Sequence, residues 1–151
     1  MKISTKARYG LRALVDLAVH STGEQVPLVY IAKRQSLSVN YLEQVFSLLK
    51  KTGIVKSVKG AQGGYMLGRE ASHITVGDVI RAIEGDILIV EEEIKRNDTT
   101  LLYQNMQECL QKQVWDKITE SVCKVMDEIT LEDLTKDYQT LMHDDLNMYY
   151  I

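Results

Sequence analysis

The stretch Val39-Asn40-Tyr41-Leu42-Glu43-Gln44-Val45-Phe46-Ser47-Leu48-Leu49-Lys50-Lys51-Thr52-Gly53 and its continuation Ile54-Val55-Lys56-Ser57-Val58-Lys59-Gly60-Ala61-Gln62-Gly63-Gly64-Tyr65-Met66-Leu67 decide the fold. Leu42, Val45, Phe46 and Leu49 recur at steps of three and four, which predicts an amphipathic helix from Val39 to Thr52. Ser38 stands where an N-cap is wanted and Gly53 where the helix must stop. The continuation changes texture: two β-branched or aromatic runs flank the glycine-rich loop Gly60 to Gly64, which reads as a hairpin.

Working outward, Leu11, Leu14, Leu17 and Ala18 predict a first helix from Ser4 to about Ser21, and Leu28, Ile31 and Ala32 a short second one after Pro27. Three short helices followed by a hairpin is the order of a winged helix-turn-helix. Thr75 and Asp78 resemble a capping box that opens a fourth helix, Val76 to Glu84, closed by Gly85. Beyond the short apolar run Ile87 to Val90, Glu91-Glu92-Glu93 reads as a solvated link. From about Asp98 to Ile129 a stripe runs through Tyr103, Met106, Leu110, Val114, Ile118, Val122, Val125 and Ile129, with Trp115 beside it. A helix of that span is about 45 Å long, too long for this chain to cover alone. The economical cover is the same helix of a second chain, an isologous homodimer. Thr130 and Asp133 mark one more helix start. The expected fold is therefore mainly α with a small β hairpin: a winged domain over 1–85, then a link, a long dimerisation helix and a terminal helix over 86–151.

Charge follows the same division. The 151 residues carry a formal net charge of −3. Residues 1–70 hold 11 basic and 4 acidic side chains, a net of +7, while 71–151 hold 7 and 17, a net of −10. One part is suited to a polyanion and the other is not. Two cysteines are too few for a secreted disulfide framework, the basic start is followed by no apolar signal core, and no run is long enough to span a bilayer. An intracellular, cytoplasmic protein with no membrane partner is expected.

On the candidate recognition helix, the face opposite Leu42 and Val45 presents Asn40, Glu43, Gln44, Ser47 and Lys51, side chains able to reach base edges in a major groove. Glutamate there repels phosphate yet accepts from the cytosine amino group, so Glu43 is a specificity residue. Lys56 and Lys59 flank a loop whose Gly60, Gly63 and Gly64 allow close approach to a phosphate or groove wall. The plain alternatives are a solvated helix face and an ordinary hairpin tip. A nucleotide-binding glycine loop is disfavoured, because no Lys-Ser or Lys-Thr follows and the loop leads into a strand. His20, His73 and His143 are scattered, and no grouping suggests a metal or catalytic centre, so an enzyme has no constellation behind it.

Lys6-Ala7-Arg8-Tyr9-Gly10, Tyr41-Leu42-Glu43-Gln44, Val58-Lys59-Gly60 with Gly63-Gly64-Tyr65-Met66-Leu67, Thr75 through Gly85 and Ile129 through Leu134 resemble the signature segments of the Rrf2 family of bacterial winged-helix transcription regulators. The resemblance covers essentially the whole chain. It implies a sequence-specific regulator of double-stranded DNA, with repression the expected sign. Asn40, Glu43 and Gln44 would read bases, Ser38 and Tyr41 would lie near phosphates, and the wing would enter the minor groove with Lys59, where many members carry arginine. Lys6, Arg8, Lys51, Lys56 and Tyr65 complete the candidate DNA surface. Members that bind an iron-sulfur cluster carry three cysteines between the fourth helix and the long helix, whereas Gly85 to Glu108 here has no cysteine and no histidine. No cofactor is expected, and the resemblance is greatest to the cluster-free branch that controls cysteine metabolism, which implies signalling through cysteine synthase.

Cys109 and Cys123 are 14 residues apart, so on a regular helix they share roughly one face about 21 Å apart and cannot bridge within it. Buried core positions are the plain reading and a redox or metal role the alternative. Two rivals to the DNA regulator stay open at this point: an interaction module on the same fold, and a regulator that responds through its thiols.

Overall fold

The computed structural model describes residues 2–90 and 100–149. Helix α1 (Thr5–His20) starts at Ser4, whose hydroxyl accepts from the Ala7 amide, and α2 (Leu28–Gln35) follows Pro27. Ser36, with a φ of 55°, turns the chain into α3 (Val39–Lys51), capped by the Ser38 hydroxyl on the Tyr41 amide. Strands β1 (Val55–Val58) and β2 (Gly64–Leu67) pair antiparallel, and Val26 adds a bridge to Tyr65 on the far side of β2. The winged helix-turn-helix expected from the sequence is the fold observed.

One apolar core holds these pieces together. Leu14 and Leu17 of α1, Ile31 of α2, Leu42, Val45, Phe46 and Leu49 of α3 are fully buried, with Ile54 and Val55 entering from the strand side. Each such side chain contributes about 1.5–3 kcal/mol relative to exposure. The Tyr65 ring meets Phe46 edge-on at 5.0 Å, so the wing is packed onto the recognition helix.

The turn between α2 and α3 has a polar lock that the sequence reading missed. Asp16, 5% exposed, accepts a forked pair from Arg34, with Nη2 at 2.7 Å and Nε at 3.0 and 3.2 Å. Gln35 Nε2 donates to the same carboxylate at 2.8 Å, and Arg12 donates to the Gln35 carbonyl at 2.9 Å. Thus α1 grips the last turn of α2 just before the reversal that launches α3.

A 3-10 turn (Ala71–His73), unmarked in the sequence reading, leads to α4 (Val76–Glu84). The capping box is present on both sides: Thr75 Oγ1 accepts from the Asp78 amide and Asp78 accepts from the Thr75 amide, each at 3.0 Å. Burial works against ionisation of Asp78, but the Thr75 amide and hydroxyl, with Arg69 and Arg81, outweigh it and hold the carboxyl below its ordinary value. A folded-state value below the unfolded one adds stability above the unfolded value, and that stability is lost as pH falls through the folded one. Asp78→Asn is therefore expected to destabilise at pH 7, with the gap to the unaltered protein closing below about pH 4 in urea titrations. A gap that is constant with pH would contradict this origin.

Helix α5 (Leu101–Leu110) opens on the Thr100 hydroxyl, passes through a π-helical turn (Gln111–Trp115) and continues as α6 (Asp116–Glu128). The Glu91-Glu92-Glu93 link, the expected helix start at Asp98 and the terminal Tyr150-Ile151 lie outside the described residues. The chain then returns to the winged part: Thr75 bridges Thr130, the Leu131 amide donates to the Ile74 carbonyl at 2.8 Å, and Leu131 is buried in the common core. Helix α7 (Leu131–Met148), opened by the expected Thr130–Asp133 capping box, runs along α1.

Candidate nucleic-acid and partner interfaces

Because α3 buries Leu42, Val45, Phe46 and Leu49, its other side is free, and Asn40, Glu43, Gln44, Ser47 and Lys51 are all exposed. Ser38 is also exposed, although its hydroxyl is engaged as the cap. Tyr41 is half-buried with its ring edge-on to Tyr9 at 6.2 Å, and the Arg12 guanidinium lies 4.7 Å over that Tyr9 ring. Arg8 is exposed and donates to Thr5 at 3.1 Å, while Lys6 is half-buried. Tyr9 and Arg12 were not among the sequence candidates. Their signal was the aromatic and cation one turn apart on the helix that braces α3.

Lys56 and Lys59 project from the wing into solvent beside this face. The wing glycines have a reason in the chain itself. A methyl at Gly64 would sit 2.5 Å from the Val26 carbonyl group, and one at Gly63 would strike the Val58 carbonyl oxygen. Close packing of the hairpin on Val26 therefore requires glycine there, while Gly60, with a φ of 123°, turns the tip in open space. Tyr65 is occupied on Phe46 and serves to set the wing angle. Between α2, α3 and the wing lies a cleft of about 500 Å³ with Val29, Glu43, Ser57 and Gly64 in its walls. Of the sequence candidates, Glu43, Gly63, Gly64 and Tyr65 line this cleft together, whereas Arg8 lines a separate groove between α1 and α7.

A second surface lies on the long helix. The Asp116 amide bonds the Gln111 carbonyl, a five-residue repeat that inserts one residue into the helical count. Past it, the line from Tyr103, Met106 and Leu110 continues through Ile118, Val122, Val125 and Ile129, with Val114 and Trp115 both half-buried within the π turn. Met106 is 61% exposed, Val125 59% and Ile118 41%. The same inserted residue corrects the cysteine reading. Cys109 and Cys123 do not share a face across the π turn; Cys109 is exposed and Cys123 half-buried.

A family model described as an iron-dependent transcriptional regulator, Rrf2, matches residues 3–137. The chain belongs to the Rrf2 family. It is 39% identical over 146 residues to the HTH-type transcriptional regulator IscR of Vibrio atlanticus, covering 93% of this chain and 79% of that one. Among solved structures it is similar to CymR, the global cysteine regulator of B. subtilis, with 41% identity, a TM-score of 0.73 and coverage of 90% of this chain and 97% of that chain. It is also similar to the IscR of T. potens, with 43% identity, a TM-score of 0.69 and coverage of 91% and 88%. These relatives are transcription regulators, not enzymes, and this Rrf2 protein is a DNA-binding transcription regulator. Among the described residues no helix is long and apolar enough to cross a membrane.

The family's description names iron, and the donor set of this Rrf2 chain does not fit the three-cysteine pattern. Gly85 to Glu108 contains neither cysteine nor histidine. Among the described residues no three metal-ligating side chains come together, and the two cysteines sit on different faces of one helix.

Proposed function

We propose that this regulator acts as a homodimer, paired antiparallel through the Tyr103–Ile129 stripe, with each winged head reading one half of a two-fold-symmetric operator. The observation that carries the reading is the pair of surfaces on one chain: an unengaged polar face on α3 flanked by a basic wing, and an exposed apolar line on a helix too long for its own domain. In this reading Asn40, Glu43 and Gln44 meet bases in the major groove, and Lys51, Lys56, Lys59, Lys6 and Arg8 meet phosphates. Ser38, Tyr41 and Tyr65 hold the reading elements in place, and Gly60, Gly63 and Gly64 shape the wing tip.

Selection of bound duplexes from a random library at stated salt tests this directly; enrichment of a two-fold motif is expected, and no enrichment would favour a protein-interaction module. With that motif in hand, Glu43→Ala is expected to relax preference at one base pair by about 1–3 kcal/mol with a smaller change in overall affinity. Lys59→Ala should weaken all duplexes alike and lower the salt slope by about one. Unchanged profiles for both would remove these residues from the interface.

The regulated process, in this reading, is cysteine and sulfur metabolism, supported by the likeness to CymR over nearly its whole length and by the absence of cluster-type thiolates. The protein would act there as a cluster-free repressor. Its signal would come from a partner protein of the cysteine synthase kind or from oxidation of Cys109 or Cys123. A shift in operator affinity on adding cysteine synthase, in protein with both cysteines replaced by serine, would assign the first; a visible cluster absorption band in anaerobically prepared protein would overturn both.

A further inference from the structure

Four alternating charges run from the foot of the wing to the end of the long helix. Arg69, two residues past β2, lies 3.3 Å from Asp78 Oδ2, and Asp78 Oδ1 lies 3.6 Å from Arg81 Nη2. Arg81 then donates through both Nη1 and Nη2 to the carboxylate of Asp127 on α6, which also accepts from the Thr75 hydroxyl at 3.5 Å. A methyl on Gly77 would occupy the place of the Asp127 carboxylate, so α4 offers a notch into which that carboxylate fits. The wing foot is equally close-set, for a methyl on Gly68 would strike the Gly53 carbonyl at the end of α3.

All four side chains are about a third or more exposed, so ion pairs of this kind add little to stability. Their effect is directional: they join α6, α4 and the wing foot in one geometry. In an antiparallel pair the two heads hang from opposite ends of the joined helices, so the angle at each α6–α4 junction sets the separation and rotation of the two α3 helices. On DNA, one base pair of spacer changes those quantities by about 3.4 Å and about 34°.

We propose that Asp127, fitted against Gly77 and held by Arg81, is the positioning residue that sets which half-site spacing the dimer accepts. The proposal rests on the homodimeric reading above. The test takes the two-fold duplex enriched by the unaltered protein, versions with one base pair added to or removed from its centre, and a duplex with a single half-site. The unaltered protein is expected to disfavour the altered spacings by at least about tenfold. Asp127→Asn, which keeps the size and removes the charge, is expected to lower that ratio to below about threefold while single-half-site affinity stays within about twofold. Arg81→Lys, which keeps the charge but cannot fork between Asp78 and Asp127, should move the ratio the same way. A spacing ratio unchanged in both variants would overturn the proposal, as would a fall in half-site affinity equal to that on the full duplex. If the unaltered protein prefers no two-fold duplex, the homodimeric reading itself fails.

Discussion

Ile118→Glu is expected to make the protein monomeric and to lower its affinity for a two-fold operator by more than about a hundredfold. Ile118 is 41% exposed on the single chain, so a carboxylate there meets water and leaves the head folded. In the proposed antiparallel pair the position would fall near the centre of the stripe, beside Trp115, where the symmetry would bring both copies of a substituted residue together. Two carboxylates out of water at one two-fold axis repel each other and lose hydration, which a helix pair built on apolar contacts does not offset. Losing the second head also removes the gain of linked binding, commonly 10²–10⁴-fold. Sedimentation and duplex titration check the two halves of the expectation. A variant that stays dimeric and binds as before would place the interface elsewhere.

Arg34→Ala carries the largest expected effect on stability, about 2–3 kcal/mol. The substitution leaves the Asp16 carboxylate buried with Gln35 donating to it at 2.8 Å and the His20 ring nitrogen 3.4 Å away. At roughly 2–4 °C per kcal/mol for a chain of this size, the melting temperature should fall by about 4–12 °C. Arg34→Lys, keeping charge without the fork, should lie between the two. Because the lock sits at the α2–α3 reversal, operator affinity should fall at temperatures where the variant is still folded. A loss below about 1 kcal/mol would mean that Asp16 finds water or another donor when Arg34 is gone.

What the sequence made legible were features with a short, fixed grammar. The Ser4, Ser38, Thr75 and Thr130 caps all stand where the hydroxyl-to-amide spacing placed them, and the hairpin lies where β-branched runs flank glycines. The polar face of α3 was readable because three- and four-residue spacing fixes which side is buried. The rest depended on partners distant in sequence. Asp16 reads as a surface acid until Arg34, 18 residues on, is known to lie against it, and Asp127 pairs with Arg81 across 46 residues. The π turn has no local composition of its own, so the apolar stripe could be continued through Val114 or through Trp115 with equal ease. The wing glycines were readable as glycines but not as contacts of Val26, because the close approach comes from another segment.

The burial of Leu131 beside Ile74 has a consequence for how the protein is made. The recognition helix and wing are complete by Leu67 and α4 by Glu84, yet one piece of their common core arrives only with residue 131. At a synthesis rate of about 5–20 residues per second, that is roughly 2–9 s during which the nascent head exists with its core open at one end. A ribosome that stalls within the long helix would therefore hold out a DNA-reading surface on an unfinished core, and completion of the chain, through Leu131, is what closes it.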